Sequence, residues 1–138
     1  MQGTTVPNIL IVDDDTDLLE GQSLFLTQHG YRVETAKSME EGLQKITSFK
    51  PDLILADLMM EQYDSGVVFC KKVKENPVTA RTPIIMQTAA PQEIGFSPYT
   101  GDAGDRKWLM AEEVLTKPVA LEHLLKKLEQ YIRGAADE

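Results

Sequence analysis

Ile9-Leu10-Ile11-Val12, followed without a break by Asp13-Asp14-Asp15, sets a short apolar run directly against three carboxylates. A run of that length, rich in β-branched residues and closed by polar ones, has the form of a strand buried on both faces. Further runs follow at Tyr31-Arg32-Val33, Leu53-Ile54-Leu55-Ala56, Pro83-Ile84-Ile85-Met86 and Val114-Leu115. Longer segments of helical period lie between them. That alternation predicts an α/β architecture, a five-stranded parallel sheet covered by helices on both faces.

The intervening segments carry their own signals. Leu18, Leu19, Gln22, Phe25 and Leu26 share one helical stripe, and His29-Gly30 supplies a cation followed by a residue free to adopt positive φ, so the first helix closes at Gly30. Ser38 with Glu41 three residues on has the form of a capping box, opening a helix with Leu43 and Ile46 inward that Pro51 breaks. A third helix runs from near Ser65 to Glu75, turns Phe69 and Val73 inward and stops at Asn76-Pro77; Cys70 on it reads as a small core hydrophobe. Leu121, Leu124, Leu125, Leu128 and Ile132 mark the last helix. Residues 91–105 hold two prolines, three glycines and no helical stripe, so a long loop stands where a fourth helix is due.

With 138 residues, 42% of them apolar, the chain fills one core, and a single domain spanning 1–138 is the expectation. Lys and Arg total 14 against 22 Asp and Glu, a formal charge of −8, which argues against partners bound through phosphate neutralisation, whether nucleic acid or an anionic membrane. No apolar run approaches the ~20 residues that span a bilayer, and Met1-Gln2-Gly3-Thr4-Thr5 lacks the features of a signal peptide. The sequence reads as soluble and cytoplasmic. Its one cysteine excludes an intramolecular disulfide and a thiolate zinc site.

In an open α/β sheet, ligands bind beyond the carboxyl ends of the strands. Asp13, Asp14 and Asp15 follow the first run, Asp57 the third, Thr88 the fourth, and Lys117-Pro118 the fifth. Several carboxylates crowded at one edge repel unless a cation neutralises them, and an all-oxygen donor set favours Mg²⁺ over zinc. An aspartate beside such an ion, a lysine and a hydroxyl is equipment for accepting a phosphoryl group. Asp15 reads instead as a solvated cap of the first helix.

Ile9 to Asp14, Leu53-Ile54-Leu55-Ala56-Asp57-Leu58-Met59-Met60, Thr88-Ala89 and Leu115-Thr116-Lys117-Pro118, in that order and each at a strand end, resemble the signature set of response-regulator receiver domains of two-component signalling, in particular the stand-alone, chemotaxis-regulator-like members. The likeness implies a doubly wound, flavodoxin-like three-layer sandwich with its core at about 8–133 and no output domain. It further implies Asp57 as phospho-acceptor, Asp14 as a direct Mg²⁺ ligand, Asp13 as a ligand mainly through water, and the carbonyl of Met59 as a third protein ligand. Lys117 then pairs with the phosphoryl oxygens, and Thr88 with the Ala89 amide hydrogen-bonds to them. The implied partners are a sensor histidine kinase or phosphotransfer protein and a downstream protein, with the chain a monomer or a phosphorylation-dependent dimer. Catalysis is limited to its own phosphoryl transfer and slow autodephosphorylation.

Two departures bear on this reading. The loop after Asp57 lacks the family's usual proline and has one extra residue before Gly66, and Val114 replaces the usual aromatic three residues before the lysine. Two alternatives follow. One is a phosphatase of the haloacid dehalogenase type using Asp13, since Asp13-x-Asp15 spaces a nucleophile and an acid after a strand; the other is a pseudo-receiver that binds partners without being phosphorylated.

Overall fold

The computed structural model describes residues 6–57, 65–88 and 111–136. Along the chain these form β1 (Asn8–Val12), α1 (Thr16–Gln28), β2 (Arg32–Ala36), α2 (Met39–Phe49), β3 (Leu53–Asp57), α3 (Ser65–Glu75), β4 (Ile84–Thr88), β5 (Glu113–Thr116) and α4 (Leu121–Ala136). The strands make one parallel sheet in the order β2-β1-β3-β4-β5. The order reverses direction at β1, as in doubly wound sheets, so the expected flavodoxin-like sandwich is the fold observed.

The period of two along each strand divides the core between the two faces of the sheet. Leu10, Val12, Ile54, Ala56, Ile84 and Met86 pack with Ile46 of α2 and with Phe69, Cys70 and Val73 of α3. Ile9, Ile11, Leu53, Leu55 and Ile85 pack on the other side with Leu19 and Leu26 of α1 and with Leu124 and Leu128 of α4. β1, β3 and β4 are buried almost throughout, whereas β2 alternates in exposure because it is an edge strand. That alternation explains why its apolar run is short, and why β2 continues to Ala36 beyond the Tyr31-Arg32-Val33 stretch. Cys70 is fully buried, and loss of hydration pushes its thiol up to about 12, so it is an unreactive packing group.

The helix ends follow the sequence signals with one change. Ser38 Oγ accepts from Glu41 N at 3.0 Å, but the Glu41 carboxylate accepts from Lys37 N at 2.8 Å, one residue before the Ser38 amide that a reciprocal capping box uses. At the end of α1, Gly30 takes φ +94, and Lys50 closes α2 in the left-handed region at φ 55. Among the described residues no helix is long and apolar enough to cross a membrane.

Two glycines separate helix propensity from packing. A Cβ at Gly42 of α2 meets Val12 Cγ2 at 2.9 Å and Phe69 Cε1 at 3.2 Å, whereas one at Gly21 of α1 meets nothing within 4 Å. Gly42→Ala therefore lowers stability by about 1–2 kcal/mol through overpacking, and Gly21→Ala raises it by about 0.5–1 kcal/mol through helix propensity. Urea melts of the two variants check the opposite signs.

At the far edge Glu113 ties β5 to α4 through Lys127 at 2.8 Å and Tyr131 Oη at 2.8 Å. Burial works to raise the Glu113 carboxyl, but the hydrogen bonds from Lys127 and Tyr131 and the charges of Lys127 and His123 outweigh it, and the net direction is down from 4.5. A depressed folded value means that the stabilisation is complete above 4.5 and is lost as the pH falls through that depressed value. Glu113→Gln thus costs up to about 1 kcal/mol at pH 7, and the gap to wild type closes in acid. Paired denaturation curves against pH measure it.

Candidate active site

The strand registers fix which side chains meet. Val12 is opposite Ala56 and Ala56 opposite Met86, so Asp13 continues β1 beside Asp57, and Asp57 lies opposite Gln87 on β4. Asp13 is held there by its own backbone, its N–H donating to the Ala36 carbonyl at 3.0 Å. On the other flank Lys117 N donates to the Thr88 carbonyl at 2.6 Å and carries the ladder one residue past β5.

From that anchor the Lys117 ammonium reaches back across the sheet, to 2.9 Å from Asp13 Oδ2 and 3.1 Å from Asp57 Oδ2. The Asp13 side chain is only 1% exposed, so the ammonium is its main counter-charge, and its second oxygen accepts from Asp15 N at 2.9 Å. Burial works to lower the Lys117 pKa. The hydrogen bond to Asp13 and the charges of Asp57 and Asp13 outweigh that loss of hydration, and the ammonium is held above its ordinary value.

Asp14 is exposed and completes a cluster in which one oxygen each from Asp13, Asp14 and Asp57 lies within 4.8 Å of the others. One ammonium against three carboxylates leaves the edge anionic. The donors are oxygen only, and their number and closeness suit a small hard divalent cation. Beside them Thr88 is buried, and its hydroxyl has no hydrogen-bond partner among the described residues. Such a group is rare in a native core and is fit to meet an incoming acceptor.

Asp15 points its carboxylate at its own helix, accepting from Asp17 N and Leu18 N as the N-cap of α1. The capping expectation is met. Val114 is half-buried against the core on the α2 and α3 side. A cavity of about 480 Å³ opens beside the site between α1 and the turn into α4, with Leu18, Gly21, Lys117, Pro118 and Val119 in its walls. Met59, Ala89, the 91–105 loop and Trp108 lie outside the described residues.

One feature escaped the sequence reading. Gln22 and Gln87 are both buried and exchange hydrogen bonds, Gln22 Nε2 to Gln87 Oε1 at 2.8 Å and Gln87 Nε2 to Gln22 Oε1 at 3.1 Å. The signal was present, because Gln22 sits in the inward stripe of α1 and Gln87 in a strand interior. Two polar residues at core positions need each other.

A parallel sheet that gathers three carboxylates, a lysine and a buried hydroxyl at its carboxyl edge has the form of a receiver-type α/β domain. Residues 9–129 match the response regulator receiver domain family, and the chain belongs to it. It is 33% identical over 128 residues to the DNA-binding dual master transcriptional regulator RpaA of Synechocystis, covering 93% of this chain and 50% of that protein. With the response regulator MprA of Mycolicibacterium vanbaalenii it shares 34% identity over 125 residues, 91% of this chain and 50% of the relative. The chain thus spans about half the length of these curated relatives. Among solved structures, chemotaxis response regulator CheY4 of Vibrio cholerae superposes with a TM-score of 0.76 at 31% identity, covering 92% of this chain and 99% of the other. A CheY-like receiver domain protein from Methanospirillum hungatei gives 0.76 at 26% identity, covering 96% and 98%.

Removing the ammonium leaves Asp13 buried and uncompensated among like charges. Lys117→Met is expected to cost about 3 kcal/mol in the absence of divalent ions, the lower end for breaking a buried pair. Millimolar Mg²⁺ restores part of that loss. Urea unfolding with and without the metal checks both halves.

Proposed function

We propose that this chain accepts a phosphoryl group on Asp57 from a phosphohistidine on a sensor kinase or phosphotransfer protein, in a Mg²⁺-dependent reaction, and signals through protein contacts. The observation that supports this most is the single ammonium shared by Asp13 and Asp57, with a third carboxylate alongside. In the transfer an ionised Asp57 oxygen attacks phosphorus. The new P–O bond forms as the P–N bond breaks, and the imidazole nitrogen leaves with the bonding pair.

Each residue has a separate task. Lys117, 3.1 Å from Asp57 Oδ2, offsets charge on one phosphoryl oxygen. The Thr88 hydroxyl donates to another oxygen, which gives that buried group a partner that it lacks among the described residues. Asp13, Asp14 and Asp57, with the Met59 carbonyl that the resemblance adds, would hold Mg²⁺, which when bound neutralises phosphoryl charge. The Ala89 amide is the second donor that the resemblance supplies. The acidic balance of this segment disfavours nucleic acid as its own partner, and a phosphorylation-dependent dimer remains compatible with it.

Incubation with acetyl phosphate and Mg²⁺, followed by intact mass measurement, tests the acceptor. Wild type is expected to gain one phosphoryl group, and Asp57→Asn to fold yet gain none. Labelling of that variant at the wild-type level would sink the assignment. A wild type that takes up nothing favours the pseudo-receiver alternative. Mg²⁺ titration of Asp14→Ala is expected to show affinity reduced by at least the roughly tenfold that even an outer-shell loss costs a metal site. Unchanged affinity would mean that the ion binds elsewhere.

A further inference from the structure

The sheet face covered by α1 and α4 carries one row of side chains just below the site. Asp57 follows Leu55 by two residues and Gln87 follows Ile85 by two, and both leucine and isoleucine belong to the apolar cluster on that face. The registers Asp57 to Gln87 and Gln87 to Leu115 place the two residues next to each other across β3 and β4. Lys117 lies two residues beyond Leu115 on β5, so its side chain must cross the end of β4 to reach Asp57 and Asp13. Near that end β4 holds the buried amide of Gln87, where the residue inward of it on the same face is Ile85.

We propose that the Gln22–Gln87 pair is a positioning element for phosphoryl transfer, locking the end of β4 to α1 so that Thr88 and Lys117 stand where the phosphoryl oxygens arrive. The proposal rests on Asp57 being the acceptor. An apolar contact at this place tolerates sliding, but two reciprocal amide hydrogen bonds, 2.8 and 3.1 Å long between two buried side chains, have one good geometry. The pair sits at the top of the apolar cluster of Leu19, Leu26, Leu55 and Ile85, and Gln22 lines the cavity that Asp15 and Lys117 also wall. Thr88 is the next residue along the strand, and its carbonyl accepts from Lys117 N at 2.6 Å. A shift of the strand end therefore moves the hydroxyl and the ammonium together. α1 in turn is capped by Asp15, two residues from Asp13, so the pair joins the carboxylate side of the site to the side that carries Thr88 and Lys117.

The test removes both amides while keeping volume, as Gln22→Met/Gln87→Met, and measures stability, Mg²⁺ affinity and the rate of Asp57 labelling against acetyl phosphate concentration. Replacing both partners by apolar groups of similar shape leaves stability near wild type, and Mg²⁺ affinity is expected to hold because the carboxylates lie on other strands. The maximal labelling rate is expected to fall by about tenfold or more, as for sub-ångström misplacement of reacting groups, with the half-saturating acetyl phosphate concentration unchanged. Gln22→Leu/Gln87→Val, which packs differently but lacks the same amides, is expected to slow labelling likewise, and it serves if the first variant does not fold. A folded double variant labelled as fast as wild type overturns the proposal alone. Wild type that takes no label at Asp57 overturns the acceptor reading and this proposal with it.

Discussion

An ammonium suspended between two carboxylates is the contact around which this structure is arranged. Lys117 is 104 residues from Asp13 and 60 from Asp57, so the contact forms only when β1, β3 and β5 have taken their places in one sheet. β4 must lie between, because it supplies the carbonyl that anchors the Lys117 backbone. The strand order and the site are therefore one specification. A sheet with β5 elsewhere would leave Asp13 buried without a counter-charge, a cost of several kcal/mol that no apolar contact at that position can offset.

The core beneath explains why the charges matter. Ile9 to Val12, Leu53 to Ala56 and Ile84 to Met86 are almost completely buried, so the charges stand at the boundary of an apolar core, with Asp13 buried, Asp57 partly exposed and Asp14 exposed. Charges at such a boundary are screened less than on an open surface and attract or repel more strongly. Crowding them there lowers the stability of the ligand-free protein and raises its affinity for whatever neutralises them, which is the usual trade between stability and function. Asp15 shows the contrast: one residue further along, its carboxylate is exposed and caps α1.

Most of this was readable in the sequence because the informative residues obey local rules. A short apolar run announces a strand, and the first polar residues after it lie at the sheet edge, so Asp13 and Asp57 directly after their runs, and Thr88 and Lys117 one residue further on, are assignable to that edge from sequence. Edge strand β2 was only half legible, since one face of it is solvated and its apolar period is diluted. The capping box was legible in type but not in partner, because whether Glu41 reaches Ser38 or Lys37 depends on a backbone turn that spacing does not encode. The division of labour at Lys117 was hidden as well. Sequence places a lysine at the edge, but only the register shows that it already serves two carboxylates.

The Gln22–Gln87 pair was the least legible feature because each glutamine alone looks like an exception to its element, and the exceptions cancel only in three dimensions. Its neighbours at the site show the opposite condition. Among the described residues the carboxylates carry more charge than Lys117 can balance, and the buried Thr88 hydroxyl has no acceptor. A cation alone relieves the first and leaves the second; an anion alone meets the hydroxyl and the ammonium but worsens the repulsion. A phosphoryl group bound together with a divalent ion, as proposed, would satisfy both at once, the carboxylates holding the ion and Thr88 and Lys117 meeting the oxygens. The polar pair inside the core is satisfied and holds still, and the unsatisfied groups just above it are the ones poised to respond.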